Sequence, residues 1–263
     1  MPTPQMHAAG GRALALLAAR VGLVAVTTVL VWLMAFVAGR GSAYPPSPML
    51  VTLGLVPANV ITLWLVARIL RAEGQRLPDL FGLRHGRGLA VDLAWGSAWI
   101  VVLYLPFVGT VLATMWVLHG AETFAAFETV FVNPDAAGVD SPGWSLVAGV
   151  LAVVTFAPLN APAEEAVYRG YALSRLSGRW SRAAAVAVCS VAFGVQHAFF
   201  APSTDAMVVY VAAFTVWGLG SSLIVLWQKR LMPITVAHFL VNLMTSSPAV
   251  VVPLVGLASG VPG

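Results

Sequence analysis

Charged side chains are scarce in this sequence, and so is cysteine. Only 9% of the 263 residues are Asp, Glu, Lys or Arg, whereas 59% are hydrophobic. A soluble domain carries about a quarter charged residues, so this chain lacks the polar groups needed to cover a surface in water. The single cysteine, Cys189, excludes a disulfide framework within the chain. These shortages exclude an ordinary soluble domain and indicate a protein that resides in a membrane.

Long hydrophobic runs that are nearly free of charge recur along the whole sequence. Most of them are close to the ~20 residues that a helix needs to cross a bilayer. We therefore predict an all-α, polytopic transmembrane bundle of seven to eight spans, in which the short apolar tail is the uncertain eighth. The seven predicted spans are 21–38, 49–70, 95–118, 144–156, 183–200, 206–227 and 231–244.

Basic residues fall in clusters at alternate ends of these runs. Arg12 and Arg20 precede the first run, whereas the stretch 119–143 has no Lys or Arg but four acidic residues. Because basic loops remain in the cytoplasm, we predict a multi-pass protein of the inner cell membrane with a cytoplasmic amino terminus. The net charge of +4 forms no single patch, so membrane lipid is the predicted partner and nucleic acid is not. The loops predicted to be cytoplasmic are 71–88, 170–182 and 229–230.

Polar residues within the hydrophobic runs divide the chain into three regions. Residues 1–150 form the predicted amino-terminal spans, 151–246 a helical core, and 247–263 a short apolar tail. Ionisable groups inside a membrane are costly and by default mark a functional site. The prominent ones lie in 151–246, and the first 150 residues show no such cluster. The sequence therefore predicts a functional site in a cavity between the fourth, fifth and seventh spans, with no contribution expected from the first 150 residues.

Three short motifs contain these polar residues, and each motif has two residues that lie four positions apart, about one helical turn. Residues four apart lie on nearly the same helix face, so Glu165 and Arg169 are expected to pair while Glu164 points elsewhere. Phe193 is expected to pack rather than react. The motifs are EExxxR at Glu164, Glu165 and Arg169, FxxxH at Phe193 and His197, and HxxxN at His238 and Asn242.

The first motif follows two prolines. Pro162 fits the first turn of a new helix with Asn160 or Ala161 as its cap. Glu164 would then lie near the positive end of a helix dipole, which favours its ionised form. Counting residues also places Glu164 near the cytoplasmic end of the fourth span but His197 near the outer end of the fifth. The two must meet in depth if both act, so the fifth span must be tilted or its predicted boundary is wrong.

The motifs in this order, each on its own hydrophobic stretch, resemble the CPBP family of intramembrane proteases. That family includes the type II CAAX prenyl endopeptidases and the bacteriocin-processing, or Abi, proteins. All three motifs match without substitution, over about residues 155–245. By this resemblance Glu164 activates water with help from His197, and the HxxxN pair stabilises the oxyanion. Glu165 and Arg169 support the site.

The residues leave the role of a metal open. There is no HExxH, which excludes a zincin site. Zinc held by Glu164, His197 and His238 remains chemically possible, because two histidines and one carboxylate suit zinc. Peptide hydrolysis also proceeds with a base for water and hydrogen-bond donors for the oxyanion. The sequence favours the metal-free mechanism over a metalloprotease without deciding between them.

The predicted function is therefore an intramembrane endopeptidase that cleaves a membrane-associated or lipidated protein or peptide. One alternative is a non-catalytic scaffold or bacteriocin-immunity protein of the same fold, although no motif residue is lost. Another is a proton-coupled transporter, which predicts inverted repeats that the sequence does not show. A CAAX-type substrate needs a prenylated carboxyl-terminal cysteine motif, and nothing in this sequence identifies one.

Overall fold

The computed structural model describes residues 4–41, 43–82, 88–138 and 142–259, and within them the chain is helical with no β-strand. Within these described ranges, seven helical segments are long and apolar enough to cross a membrane. The prediction of an all-α polytopic bundle is confirmed. The helices are α1 (Pro4–Val37), α2 (Pro48–Ala72), α3 (Leu77–Leu80), α4 (Leu89–His119), α5 (Thr123–Val130), α6 (Pro142–Glu165), α7 (Leu173–Ser177), α8 (Arg182–Gln196), α9 (Thr204–Gln228), α10 (Met232–Ser246) and α11 (Pro248–Ser259).

Several of these helices extend well beyond the predicted spans. α6 passes through the π-helix Ala166–Ala172 into α7 without a break, and Pro162 lies inside α6. The prediction that a new helix begins at Pro162 is therefore wrong. Proline is tolerated inside a membrane helix when neighbouring side chains and local adjustments satisfy the freed backbone groups.

The long helices form a closed ring. α1 packs against α2 and α8, α6 packs between α2 and α10, and α4 packs between α10 and α9, which returns to α8. The tail helix α11 lies outside this ring against α6, where the backbone oxygen of Ala249 approaches so closely that only glycine fits at Gly149. At the end of the ring where α2 ends and α8 begins, packed side chains fill the interior, and we call this the filled end. At the opposite end, where α2 begins, the interior contains a cavity, and we call this the cavity end.

A polar network closes the filled end of the ring around Glu73, which directly follows α2. Arg12 of α1, Tyr171 of the π-helix and Arg175 of α7 all donate hydrogen bonds to this carboxylate, at 2.9, 2.8 and 2.6 Å. Partial burial raises the pKa of Glu73, but the hydrogen bonds from Tyr171 and Arg175 and the nearby positive charges outweigh it and hold the pKa below its usual value. The network joins the first two helices to the end of α7.

The helix lengths remove the predicted conflict in depth between Glu164 and His197. Glu164 lies about 13 residues before Ser177, the end of α7, and His197 lies about 15 residues after Arg182, the start of α8. At ~1.5 Å per residue both are therefore about 20 Å from the turn that joins the two helices. The fourth span was predicted too short, and its true length brings the two residues to one level.

Candidate active site

A row of five buried side chains crosses the interior of the ring. Arg20 Nη2 lies 2.7 Å from Glu164 Oε1, and Glu164 Oε2 lies 3.6 Å from His238 Nε2. On its other side His238 Nδ1 lies 2.9 Å from Glu165 Oε1, which also accepts a hydrogen bond from Arg169 Nη1 at 3.1 Å. Each of the five residues is at most 6% exposed. Two guanidinium groups thus face two carboxylates, with an imidazole between the carboxylates.

The EExxxR motif is divided in the way that helical spacing predicted. The pairing of Glu165 with Arg169 is confirmed by their contact, and Glu164 points to a different partner. The π-helix begins directly after Glu165 and contains Arg169. π-helical turns inside α-helices are found frequently at functional sites. Here the π-helix contains Arg169, the last residue of the charged row.

Phe193 packs against the guanidinium of Arg169 and against both histidines. The Arg169 guanidinium lies over the Phe193 ring, 4.3 Å from its centroid, and the rings of His197 and His238 lie 4.9 and 6.0 Å away. Tyr168 meets the same ring edge-on at 5.3 Å. The prediction that Phe193 packs rather than reacts agrees with this position, because the ring supports three site residues at once.

His197 reaches the site from the short 3-10 turn His197–Phe200 that ends α8. Its Nδ1 lies 2.7 Å from the carbonyl oxygen of Phe193, and its ring stacks on Phe214 at 3.5 Å between centroids. A carbonyl can only accept, so Nδ1 carries the proton and the neutral ring has its lone pair on Nε2. His197 and Glu164 line the same cavity.

Arg20 belongs to the site although its position in the sequence did not predict this. It lies on α1, is 1% exposed and is the largest fully buried side chain among the described residues. The expectation that the first 150 residues contribute nothing to the site is wrong, and so is the placement of Arg20 in a cytoplasmic flank. The guanidinium donates to five side chains: Asn59 at 2.8 Å, Thr62 at 3.3 Å, Asn160 at 3.0 Å, Glu164 at 2.7 Å and Gln196 at 3.3 Å.

The environment of Glu164 also differs from the one predicted. Glu164 lies near the carboxyl end of α6, so no helix amino terminus stabilises its charge. The compensating charge is the Arg20 guanidinium instead. Asn160, expected as a helix cap, uses its side-chain oxygen to accept a hydrogen bond from the same guanidinium. A signal for this arrangement was present in Asn59 and Thr62, two polar residues three apart inside the second hydrophobic run.

A largely apolar cavity of about 370 Å³ opens beside the charged row. Glu164, His197, His238 and Asn242 line it, so the cavity collects the residues of all three motifs that face inward. Two buried polar atoms in it have no hydrogen-bond partner among the described residues, Glu164 Oε2 and Asn242 Nδ2. Its aromatic wall consists of Tyr104, Phe107, Phe156, Phe193, Phe200, Tyr210, Phe214 and Trp217.

The three residues considered for zinc do not form a metal-ligand cluster. Within the described part of the chain, no three His, Cys, Asp or Glu side chains lie close enough together to hold a metal ion. Glu164 and His238 face each other, but a guanidinium already occupies the other carboxylate oxygen of Glu164. A second cation there would be repelled by Arg20. The arrangement does not fit a zinc site.

Comparison with known proteins agrees with the motifs. Residues 143–244 match the sequence model of the family described as type II CAAX prenyl endopeptidase Rce1-like. Over these residues the chain is similar to this family, and the resemblance to the CPBP family of intramembrane proteases is confirmed. The match covers about two fifths of the chain and leaves out α1, α2 and α4. Neither the curated proteins nor the solved structures contain a match.

Proposed function

We propose that this protein is an endopeptidase that hydrolyses a peptide bond in the cavity, with Glu164 as the base that activates water. The observation that carries the proposal is the pair of unpartnered atoms, a carboxylate oxygen and an amide nitrogen, in one apolar cavity. Buried polar groups without partners are rare in native proteins and call for an explanation. An acceptor for a water proton and a donor for an oxyanion are what peptide hydrolysis requires.

In the first step the attacking water lies against Glu164 Oε2 and gives it a proton. Because Oε1 is held by Arg20, only Oε2 is free to accept that proton. The lone pair of His197 Nε2 accepts the second hydrogen of the water and orients it. The oxygen then bonds to the carbonyl carbon of the substrate, and the carbonyl oxygen becomes the oxyanion.

In the second step Asn242 Nδ2 donates a hydrogen bond to the oxyanion. Collapse of the tetrahedral intermediate breaks the bond between carbon and nitrogen, and the leaving amine takes the proton from Glu164. His238 donates through Nδ1 to Glu165, so its Nε2 can donate only when the ring is doubly protonated. We therefore assign the oxyanion to Asn242, and propose that the ring of His238 lies against Glu164 Oε2 and limits the movement of the carboxylate.

The two ends of the bundle differ in charge, and this difference indicates which end faces the cytoplasm. Nine described basic residues lie at the filled end and only Arg40 at the cavity end, where Glu122, Glu128, Asp135 and Asp205 lie. By the positive-inside rule the filled end is cytoplasmic, as is the amino terminus. The nine are Arg12, Arg68, Arg71, Arg76, Arg175, Arg179, Arg182, Lys229 and Arg230.

This orientation bears on the substrate. The cavity wall includes Pro48 at the start of α2 and Thr245 near the end of α10, and both are exposed. Both lie at the end opposite the basic cluster. We propose that the substrate is a membrane-associated or lipidated peptide or protein whose cleaved bond enters from the extracytoplasmic half of the inner membrane. A prenylated tail in the cytoplasm would have to cross the filled half of the ring.

The test of the function uses purified protein in detergent with fluorogenic peptides, both lipidated and plain. Cleavage by the wild type that disappears in Glu164→Gln supports the proposal. A folded wild type that cleaves none of them favours the scaffold or immunity reading. Proton flux in proteoliposomes that depends on Glu164, without cleavage, favours the transporter.

The test of the orientation uses two engineered cysteines at opposite ends of the ring. Thr245→Cys lies at the cavity end and Gln75→Cys at the filled end, and the wild type is the unlabelled control because Cys189 is buried. A membrane-impermeant maleimide added to intact cells should label Cys at 245 and stop cleavage, and label Cys at 75 only after permeabilisation. Labelling in the opposite sense would reverse the proposed orientation and the route of the substrate.

A further inference from the structure

The buried guanidinium of Arg20 is bound on every side although it does not line the cavity. Its five acceptors come from α2, α6 and α8, so one side chain of α1 joins four helices. The catalytic cavity is lined by Asn160 and Glu164 but not by Arg20 itself. Arg20 therefore acts on the reaction only through the groups that it holds.

The contacts of Glu164 are asymmetric, and Arg20 causes the asymmetry. Arg20 Nη2 binds Oε1 at 2.7 Å and also binds Asn160 Oδ1, one helical turn earlier, at 3.0 Å. One nitrogen thus fixes the carboxylate against its own helix. The second oxygen, Oε2, is left without a partner and faces His238. A carboxylate that rotated freely would offer its two oxygens equally.

We propose that Arg20 is a positioning residue that fixes Glu164 with Oε2 toward the substrate, and that the active site of this protein is completed by α1, outside the matched family segment. The proposal rests on the proposed function of Glu164 as the base. A lysine cannot replace Arg20, because an ammonium lacks the planar fork that reaches several acceptors at once. Misplacing a catalytic group by about 1 Å costs roughly 100-fold in rate.

The experiment compares Arg20→Lys and Arg20→Gln with Arg12→Gln. Arg12 lies on the same helix and pairs with Glu73 at the filled end, far from the cavity. Arg20→Lys should lower kcat roughly 10-fold to 100-fold with KM changed less than about twofold, because the group acts on geometry rather than on substrate binding. Arg12→Gln should lower Tm but leave kcat per folded molecule unchanged.

A further variant keeps the test decisive if Arg20→Gln does not fold. Asn160→Ala removes one of the two contacts that aim Nη2 and leaves both charges in place, so it should lower kcat less than Arg20→Lys does, again at constant KM. If the Arg20 and Asn160 variants lose Tm as Arg12→Gln does while kcat stays at the wild-type value, the positioning role is overturned.

Wild type and Glu164→Gln are assayed alongside to separate the two proposals. If the wild type cleaves nothing, or Glu164→Gln still cleaves, the proposed function fails and the role of Arg20 fails with it. If the wild type cleaves, Glu164→Gln does not, and Arg20→Lys equals the wild type, only the inference about Arg20 fails.

Discussion

The matched segment and the part of the chain before it contribute different things to one site. Residues 143–244 supply the carboxylates, the histidines and the amide. The preceding helices supply the guanidinium that balances Glu164 and part of the cavity wall, including Tyr104 and Phe107. The motifs thus contain the proposed reactive groups, whereas the charge balance around Glu164 depends on a helix that the family match does not reach.

The largest expected effect separates the two adjacent glutamates. Glu164→Gln should abolish turnover, because an amide accepts a hydrogen bond from Arg20 but cannot take a proton from water. Glu165→Gln should retain measurable turnover, since Glu165 contacts His238 and Arg169 rather than the cavity. Turnover is measured per folded molecule, with folding checked by size-exclusion chromatography.

Both substitutions should also destabilise the protein. For Glu164 this tests whether its buried pair with Arg20 links the two halves of the chain. Each removes one charge of a buried pair and leaves a guanidinium uncompensated, a change that costs about 3–5 kcal/mol in other proteins. Combining Glu164→Gln with Arg20→Gln should restore part of the lost Tm and none of the activity. If Glu164→Gln left Tm unchanged and the double variant lowered Tm, the buried pair would not link the two halves of the chain.

The next effect tests the metal-free mechanism at His238. His238→Ala should lower kcat by roughly 10³-fold, because it leaves the two carboxylates facing each other without the imidazole between them and frees Glu164 to move, and a misplacement of about 1 Å alone costs roughly 100-fold in rate. Active wild type should contain no stoichiometric zinc, and chelators should leave its rate unchanged. Zinc near one per chain that is absent from His238→Ala, with activity restored by zinc after chelation, would establish a metal-dependent mechanism instead.

A smaller effect is expected at the oxyanion donor. Asn242→Ala should lower kcat by roughly 10²–10³, the usual cost of one lost donor. KM should change little, because the hydrogen bond forms only in the transition state. Asn242→Asp provides the matched control, since it keeps the size but replaces the donor by an acceptor and should be at least as impaired. A raised KM with unchanged kcat would assign Asn242 to substrate binding.

Features that depend on a single helix could be predicted from the sequence, whereas contacts between helices could not. The bundle followed from the hydrophobic runs, and the Glu165–Arg169 pair from their spacing within one helix. The end of the fourth span did not, because Pro158 and Pro162 resemble a helix boundary while the surrounding helices allow α6 to continue through them. Arg20 was missed because an arginine beside a hydrophobic run is ordinarily a flanking charge, and its partners lie on three other helices.

The smallest expected effect concerns the network that joins the two halves at the filled end. The pKa of folded Glu73 lies below its usual value: burial raises it, but the hydrogen bonds from Tyr171 and Arg175 and the charge of Arg12 outweigh burial. A lowered folded pKa means that the unfolded chain binds the proton more tightly. The stabilisation is therefore complete above the ordinary glutamate pKa of about 4.3 and is lost as the pH falls through the lower folded value. Because the network is partly exposed, we expect about 0.2–1 kcal/mol.

The measurement is the Tm of wild type and Glu73→Gln in detergent from pH 7 to pH 3, followed by tryptophan fluorescence. The wild type should be slightly more stable than Glu73→Gln at pH 7, and the difference should vanish toward pH 3. Glu122→Gln, which changes an exposed acid at the cavity end, should track the wild type throughout. Since Glu73 lies far from the cavity, kcat should be the same in all three proteins at pH 7. A difference in Tm that grew as the pH fell would show that burial, not hydrogen bonding, dominates at Glu73. The attachment of α1 and α2 to the end of α7 would then depend on the packing of Tyr171 rather than on the Glu73 carboxylate.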